Sequence, residues 1–227
     1  MSESKTKRFR LAVLLSGKGS NFRALAEAIR RDSLPIDVVL VISDQSQAAG
    51  LKSAEDLGIA TTVVRRLPKE RSNAEFNSAL AEALSEKNPD LIVLAGFMRV
   101  LTPELISKFP GRIINIHPSL LPSFKGLHGQ RQALDAGVKF SGCTVHVVVE
   151  ELDSGPILAQ AVVPVLAGDT EETLTARILR EEHKLLPAVV RALVSGEIRV
   201  MALPSRKVIV ERDSNVGRET DALRSIE

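Results

Sequence analysis

The chain has 227 residues, 44% hydrophobic and 26% charged, with 30 Lys and Arg against 28 Asp and Glu and a net charge of +2. This is ordinary globular composition, enough for one sizeable domain with a genuine core, and it excludes disordered and fibrous classes. Near-balanced charge, no long basic run, and an aromatic content of 3% without Trp or Tyr argue against a nucleic-acid partner, which needs clustered cations and stacking rings.

Short β-branched runs alternate with helical patterns. Leu11 to Leu15 reads as a strand, Asn21 to Arg31 as a helix with Leu25, Ala28 and Ile29 on one face, and Val38 to Ile42 as a strand. A helix over Gln47 to Leu57, a strand at Thr61 to Val64 and a helix over Asn73 to Glu86 follow. Leu91 to Ala95 and Ile113 to Ile116 are two more strands, with Thr102-Pro103 as a helix start between them. Beyond Leu127, a short helix at Gln130 to Ala136 precedes strands near Cys143 to Val149 and Ile157 to Val163. Asp169-Thr170-Glu171-Glu172 opens a long helix to about Leu193, with acids in its first turn as the macrodipole favours. The alternation predicts an α/β fold, a Rossmann-like, mainly parallel sheet with helices on both faces, in one domain over 9–203. Its halves divide at about residue 100, and 204–227 forms a carboxyl-terminal hairpin and tail.

The polar segment Met1 to Arg10 has no following apolar stretch of a secretory signal. No apolar run reaches the roughly 18 residues of a membrane span. Cys143, the sole cysteine, lies in an apolar run and reads as a small core residue in a reducing compartment. A cytoplasmic protein without a membrane partner is expected.

Ser16-Gly17-Lys18-Gly19-Ser20-Asn21 links the first strand to the first helix. Glycines let the backbone turn tightly, and a helix amino terminus offers free N–H groups and a positive dipole end to an anion. Phe22 occupies the place of a third fingerprint glycine, and a Walker A ending is missing, so one compact phosphate suits the loop better than a dinucleotide or nucleoside triphosphate. A simple tight turn with a Ser/Asn cap is the alternative, and the loop alone does not decide.

Asn115-Ile116-His117-Pro118 ends a predicted strand, where ligands bind in open α/β sheets. Residues two apart on a strand face one way, so Asn115 and His117 would offer an amide donor and an imidazole to one cleft. A buried histidine satisfied by backbone is the other reading. In the acidic turn Glu151-Leu152-Asp153-Ser154-Gly155-Pro156, Asp153 either caps its own turn or orients His117. No G-x-S-x-G elbow occurs, and His117, His128, His146 and His183 lack metal-like spacing, so neither a serine nucleophile nor a metal is expected. His146 alternates within a strand and reads as structural. His128 is equally compatible with supporting the site or facing solvent.

Three segments now gain weight together: Leu94-Ala95-Gly96-Phe97-Met98-Arg99-Val100-Leu101, Asn115-Ile116-His117-Pro118-Ser119-Leu120-Leu121-Pro122 and Glu151-Leu152-Asp153-Ser154-Gly155-Pro156. They closely resemble the phosphoribosylglycinamide formyltransferases, folate-dependent enzymes of purine biosynthesis, and the likeness runs from about Arg10 to Val200. Asn-x-His and Leu-Leu-Pro are shared with wider relatives that act on formyl-folates; Gly96-Phe97-Met98-Arg99 and Gly19-Ser20-Asn21 discriminate better. The resemblance implies that Gly19, Ser20, Asn21, Phe22 and Arg23 hold the phosphate of a ribotide and that Glu182 binds its ribose hydroxyls. It implies a folate pocket from Leu94, Met98, Arg99, Val100, Leu101 and Asn115, with Val149, Glu150, Glu151, Leu152 and Asp153. Asn115, His117 and Asp153 would be catalytic, with 10-formyltetrahydrofolate as co-substrate. The formyl group would pass directly to the ribotide amine through a tetrahedral intermediate, in a monomer or homodimer acting on small molecules. Family members often carry an Arg, near the folate's glutamate tail, where this chain has Asn73. Arg71 is the expected substitute.

The nearest rival is a formyltetrahydrofolate hydrolase, whose relatives add an amino-terminal regulatory domain; about ten residues precede the first strand here. A methionyl-tRNA formyltransferase would add a carboxyl-terminal nucleic-acid domain, and about 27 residues follow Val200. A non-catalytic sugar-phosphate sensor would be expected to lose Asn115, His117 or Asp153, all of which are present.

Overall fold

The computed structural model describes residues 8–65, 72–202 and 208–213. Its first strand, β1 (Phe9–Leu15), is buried on both faces: Leu11, Val13 and Leu15 join one core, Ala12 and Leu14 the other. A strand covered on both sides is written as a continuous apolar run, which is how Leu11 to Leu15 reads. In chain order follow α1 (Ser20–Arg31), β2 (Ile36–Ser43), α2 (Ala49–Asp56), β3 (Thr61–Val63), α3 (Asn73–Lys87), β4 (Leu91–Leu94), α4 (Pro103–Lys108) and β5 (Ile113–His117). Then come α5 (Gly129–Asp135), β6 (Phe140–Val147), β7 (Ile157–Pro164), α6 (Glu171–Ser195), β8 (Ile198–Ala202) and β9 (Val208–Arg212).

Seven strands form one sheet in the order β3-β2-β1-β4-β5-β6-β7. The first five are parallel, as the alternation predicts. β6 runs antiparallel to β5, and β7 antiparallel to β6, so the sheet continues past its Rossmann-like half by a different rule. The first core gathers Phe22 and Leu25 of α1, Leu51 of α2, Ala133 of α5, and Ile178 and Leu186 of α6. The second holds Phe76, Leu80 and Leu84 of α3 with Leu105 of α4. Helices therefore cover both faces. β8 and β9 pair as a separate antiparallel hairpin whose first strand precedes residue 204.

Element ends differ from the sequence reading where pairing decides them. β6 starts before Cys143 because Phe140, Ser141 and Gly142 find ladder partners in Pro164, Val163 and Val162. α3 begins with a capping box: the Glu75 N–H donates to Ser72 Oγ at 3.2 Å, and the Ser72 N–H donates to Glu75 Oε2 at 2.7 Å.

At the start of α6, Arg177 grips Asp169 through Nη1–Oδ2 at 2.6 Å and Nη2–Oδ1 at 2.9 Å. This pair, helped by the Leu166 N–H, holds the Asp169 carboxyl well below the usual carboxylate range. A depressed folded-state pKa contributes stability above the unfolded value of about 3.9, and that stability is lost as pH falls through the folded value. Asp169→Asn is thus expected to lower Tm at pH 7. The gap to wild type should narrow progressively below about pH 4, as thermal melts across a pH series would record.

Cys143 is fully buried in β6, and burial, with Glu182 and Glu181 adding to it, pushes its thiol up to about 12. Nucleophilic thiolate is therefore scarce at neutral pH. Ellman's reagent is expected to leave the native protein unlabelled and to titrate the thiol once denaturant opens the core.

Candidate active site

Sheet topology places the site. Strand order reverses between β1 and β4, and the loops leaving their carboxyl ends, after Leu15 and after Leu94, lie at this switch point, the usual ligand position in open α/β sheets.

The first loop is built from backbone. Gly19 caps α1 in the left-handed region (φ 67°) and has no side chain with which to cap, so the first-turn N–H groups remain available to an anion. A Cβ on Gly19 would lie 2.6 Å from Gly50 Cα, and one on Gly50 would lie 2.6 Å from Leu15 Cδ2. The two glycines let α1 and α2 start back to back, tied by a 3.1 Å hydrogen bond from the Gly50 N–H to Gly17 O. Next to the cap, Asn21 is buried and donates from Nδ2 to Glu182 Oε2 at 2.7 Å, linking α1 to α6. Burial raises the pKa of Glu182 and the Asn21 hydrogen bond opposes that shift. Among the described residues Asn21 Oδ1 has no partner.

The second cluster lies at the ends of β5 and β6. His117 donates from Nε2 to the Phe124 carbonyl at 3.0 Å, and its Nδ1 lies 3.4 Å from Asp153 Oδ2. Asp153, with a left-handed backbone (φ 48°), accepts a 2.8 Å hydrogen bond from the Gly126 N–H. Its other oxygen lies 3.6 Å from His146 Nε2. The ring of His117 is thus held between a carbonyl and a carboxylate.

His146 belongs to this cluster, which strand alternation did not reveal. Antiparallel pairing sets it opposite Asn115. Its Nδ1 donates to the Val147 carbonyl at 3.0 Å, so Nε2 carries the lone pair and accepts from Asn115 Nδ2 at 3.2 Å. Burial lowers the pKa of His146 despite the opposing effects of the Val147 carbonyl and Asp153. The neutral ring fixes the Asn115 amide and leaves it a second N–H.

Asn21 and Glu182 of the first cluster and Asn115, His117, His146 and Asp153 of the second line one cavity of about 640 Å³, whereas Gly19 and Ser20 are not among its lining residues. Its lining also includes Leu94, Met98, Arg99, Val100 and Leu101, with Val149, Glu150 and Leu152. Met98 and Val100 are 63% and 60% exposed, apolar surface turned to the opening. Other predicted residues stand off the cavity wall. Glu151 is exposed and lies 3.5 Å from Lys125 Nζ. The Phe22 side chain is wholly buried, so only its backbone can reach a ligand. Arg23 is exposed and lines a separate groove with Glu27 and Arg30. Arg71 lies outside the described residues. Sequence reasoning missed Gln130, Thr175 and Leu179, which also line the cavity. Thr175, Leu179 and Glu182 share one helical face, and their spacing of four and three was a readable signal.

The formyl transferase family profile matches residues 9–190. Phosphoribosylglycinamide formyltransferase of Escherichia coli (strain K12) is 41% identical over 190 residues, covering 84% of this chain and 89% of that protein. The trifunctional purine biosynthetic protein adenosine-3 of Bos taurus is 47% identical over 195 residues, and the chain spans only 19% of its length. Among solved structures, glycinamide ribonucleotide transformylase 1 from Symbiobacterium toebii has a TM-score of 0.84 at 42% identity, covering 92% of this chain and 97% of that one. A formyltetrahydrofolate deformylase from Pseudomonas syringae pv. tomato reaches 0.78 at 31% identity, covering 90% and 66%. The chain belongs to the formyl transferase family, among the phosphoribosylglycinamide formyltransferases.

Proposed function

We propose that this protein transfers the formyl group of 10-formyltetrahydrofolate to the amine of 5'-phosphoribosylglycinamide in purine biosynthesis, in the cytoplasm, as a monomer or homodimer. The observation that carries this reading is the continuity of the cavity. One cavity is lined by Asn21 of the α1 start and the buried Glu182 carboxylate, by Asn115, His117 and Asp153, and by the apolar Met98, Val100 and Leu152.

The residues fit a folate. Half-exposed Met98, Val100 and Leu152 offer apolar surface to a pterin, with Leu94, Leu101, Val149 and Glu150 also lining the cavity and Arg71 assigned to the tail. When bound, the folate supplies the formyl carbon. At the start of α1, N–H groups of Gly19, Ser20, Asn21 and Phe22, with the Arg23 cation nearby, suit a phosphate, and Glu182 suits ribose hydroxyls. Between them, the spare N–H of Asn115 donates to the oxygen on which negative charge grows as the amine attacks. Asp153 holds His117 and relays the proton shed by the amine, directly or through water, to the folate nitrogen. As the tetrahedral intermediate collapses, the bond between the formyl carbon and the folate nitrogen breaks and tetrahydrofolate leaves. Its 3.4 Å separation from His117 Nδ1 fits catalytic hydrogen bonds that tighten around substrate.

Likeness to the deformylase favours one alternative, transfer of the same group to water. Absorbance of folate product, followed with and without glycinamide ribonucleotide, separates the two. Product only with the ribotide is expected; product at an equal rate without it would make the protein a hydrolase.

A further inference from the structure

The apolar wall of the cavity, from Gly96 to Val100, has neither helix nor strand structure, yet its exposed Met98 and Val100 must hold one position to shape a pocket. Its anchors come from elsewhere in the chain. Phe97 stacks on Phe76 of α3, with ring centroids 6.5 Å apart and planes at 15°. The Thr102 N–H donates to Asn77 Oδ1 at 3.0 Å. Two further anchors tie the wall to the loops that follow β1 and β2. The Ser16 N–H donates to Gly96 O at 3.0 Å, and Ser16 Oγ accepts from the Met98 N–H at 2.8 Å. Arg99 donates from Nε to Asp44 Oδ2 at 2.7 Å, just past the end of β2.

Asp44 is unlike the surface acids of this chain. Its side chain is 1% exposed against 31% for Arg99. Among the described residues both its donors, Arg99 Nε and Gln45 Nε2 at 2.9 Å, use Oδ2, and buried Oδ1 has no partner. Asp44 does not line the cavity, whereas Arg99 does. Among the described residues Arg99 is the cation that offsets the desolvation of this carboxylate, so the pair resists separation and pins the Arg99 stem in place.

We propose that Asp44, with Ser16, is a positioning residue for the folate end of the site, tying the Gly96–Val100 wall to the loops that follow β1 and β2. The proposal rests on the folate reading given above. Without the clamp, the wall samples more conformations and must be ordered when the folate binds, a cost charged to folate affinity alone. The chemical step and ribotide binding use other residues.

The test is steady-state kinetics on purified Asp44→Ala, Asp44→Asn and Ser16→Ala, with calorimetric titration of 10-formylfolate and a thermal melt on each. Asp44→Ala should raise the folate KM and Kd by about tenfold, equivalent to about 1.4 kcal/mol. Its kcat and ribotide KM should stay within roughly twofold of wild type. Asp44→Asn keeps an oxygen for Arg99 and should recover much of the loss, and Ser16→Ala should weaken folate binding selectively from the other anchor. A folded Asp44→Ala protein with wild-type folate Kd would overturn the proposal. So would a matching loss in both KM values and kcat that followed the fall in Tm, the mark of a merely structural role. If Asp44→Ala does not fold, Ser16→Ala decides, since it removes the hydroxyl that accepts from the Met98 N–H: a folate Kd equal to wild type overturns, a selective rise supports. Wild-type protein that neither binds the folate nor consumes the ribotide would instead sink the functional reading.

Discussion

Replacing Asp153 by Asn is expected to leave the fold intact and lower kcat by about 100- to 10,000-fold, the range for removing a positioned acid–base group. Asn is nearly isosteric with Asp, and its amide oxygen can still accept from the Gly126 N–H, now 2.8 Å from Oδ2. The turn at φ 48° also tolerates Asn, which visits the left-handed region readily. What disappears is negative charge between two imidazoles, one 3.4 Å and the other 3.6 Å away. With it goes the site's means of receiving the amine's proton. Stopped-time assays with saturating substrates, together with a thermal melt, separate a catalytic loss from a folding loss. Unchanged kcat would remove Asp153 from the catalytic group.

The second large effect is expected for Asn115→Ala: a fall in kcat of about 100- to 1000-fold, as when one donor to a developing oxyanion is deleted. The mechanism differs from that of Asp153. Asn115 is neutral, and its amide is held by His146 Nε2 at 3.2 Å. Truncation therefore removes a preorganised dipole without changing the charge of the site. Both KM values should move little if the donor acts mainly in the transition state. A mutant whose KM for the folate rises while kcat stays near wild type would reassign Asn115 to binding.

Much of this was legible in the chain because local physics decides it. Leu11 to Leu15 is apolar on consecutive residues since both faces of β1 are covered. Gly19 reads as a loop hinge, and it does cap α1 with positive φ. Asn115 and His117, two apart on a strand, do line one cavity. The rest depends on register between distant segments, which no local window encodes. Antiparallel pairing of β5 with β6 brings His146 to Asn115, whereas alternation alone assigned it to the core. The approach of Asp153 to His117 follows from the turn between β6 and β7, which returns the carboxylate to the Gly126 N–H. Asp44 gave no signal in sequence, since an acid after a strand is unremarkable until Arg99 is seen against it.

The interlock of Gly19 and Gly50 has a consequence for how this protein can diverge. Its anion loop is encoded in main chain, so drift at the exposed Lys18, or at Gly17 with open space around it, leaves the loop's donors in place. Gly19 and Gly50 have no such freedom: a methyl group on either meets backbone or the Leu15 side chain, and neither position can be relieved by changing the other alone. Residues far apart in the chain are bound to a shared fate, and a library built to retune the phosphate end would do well to freeze both and randomise around them.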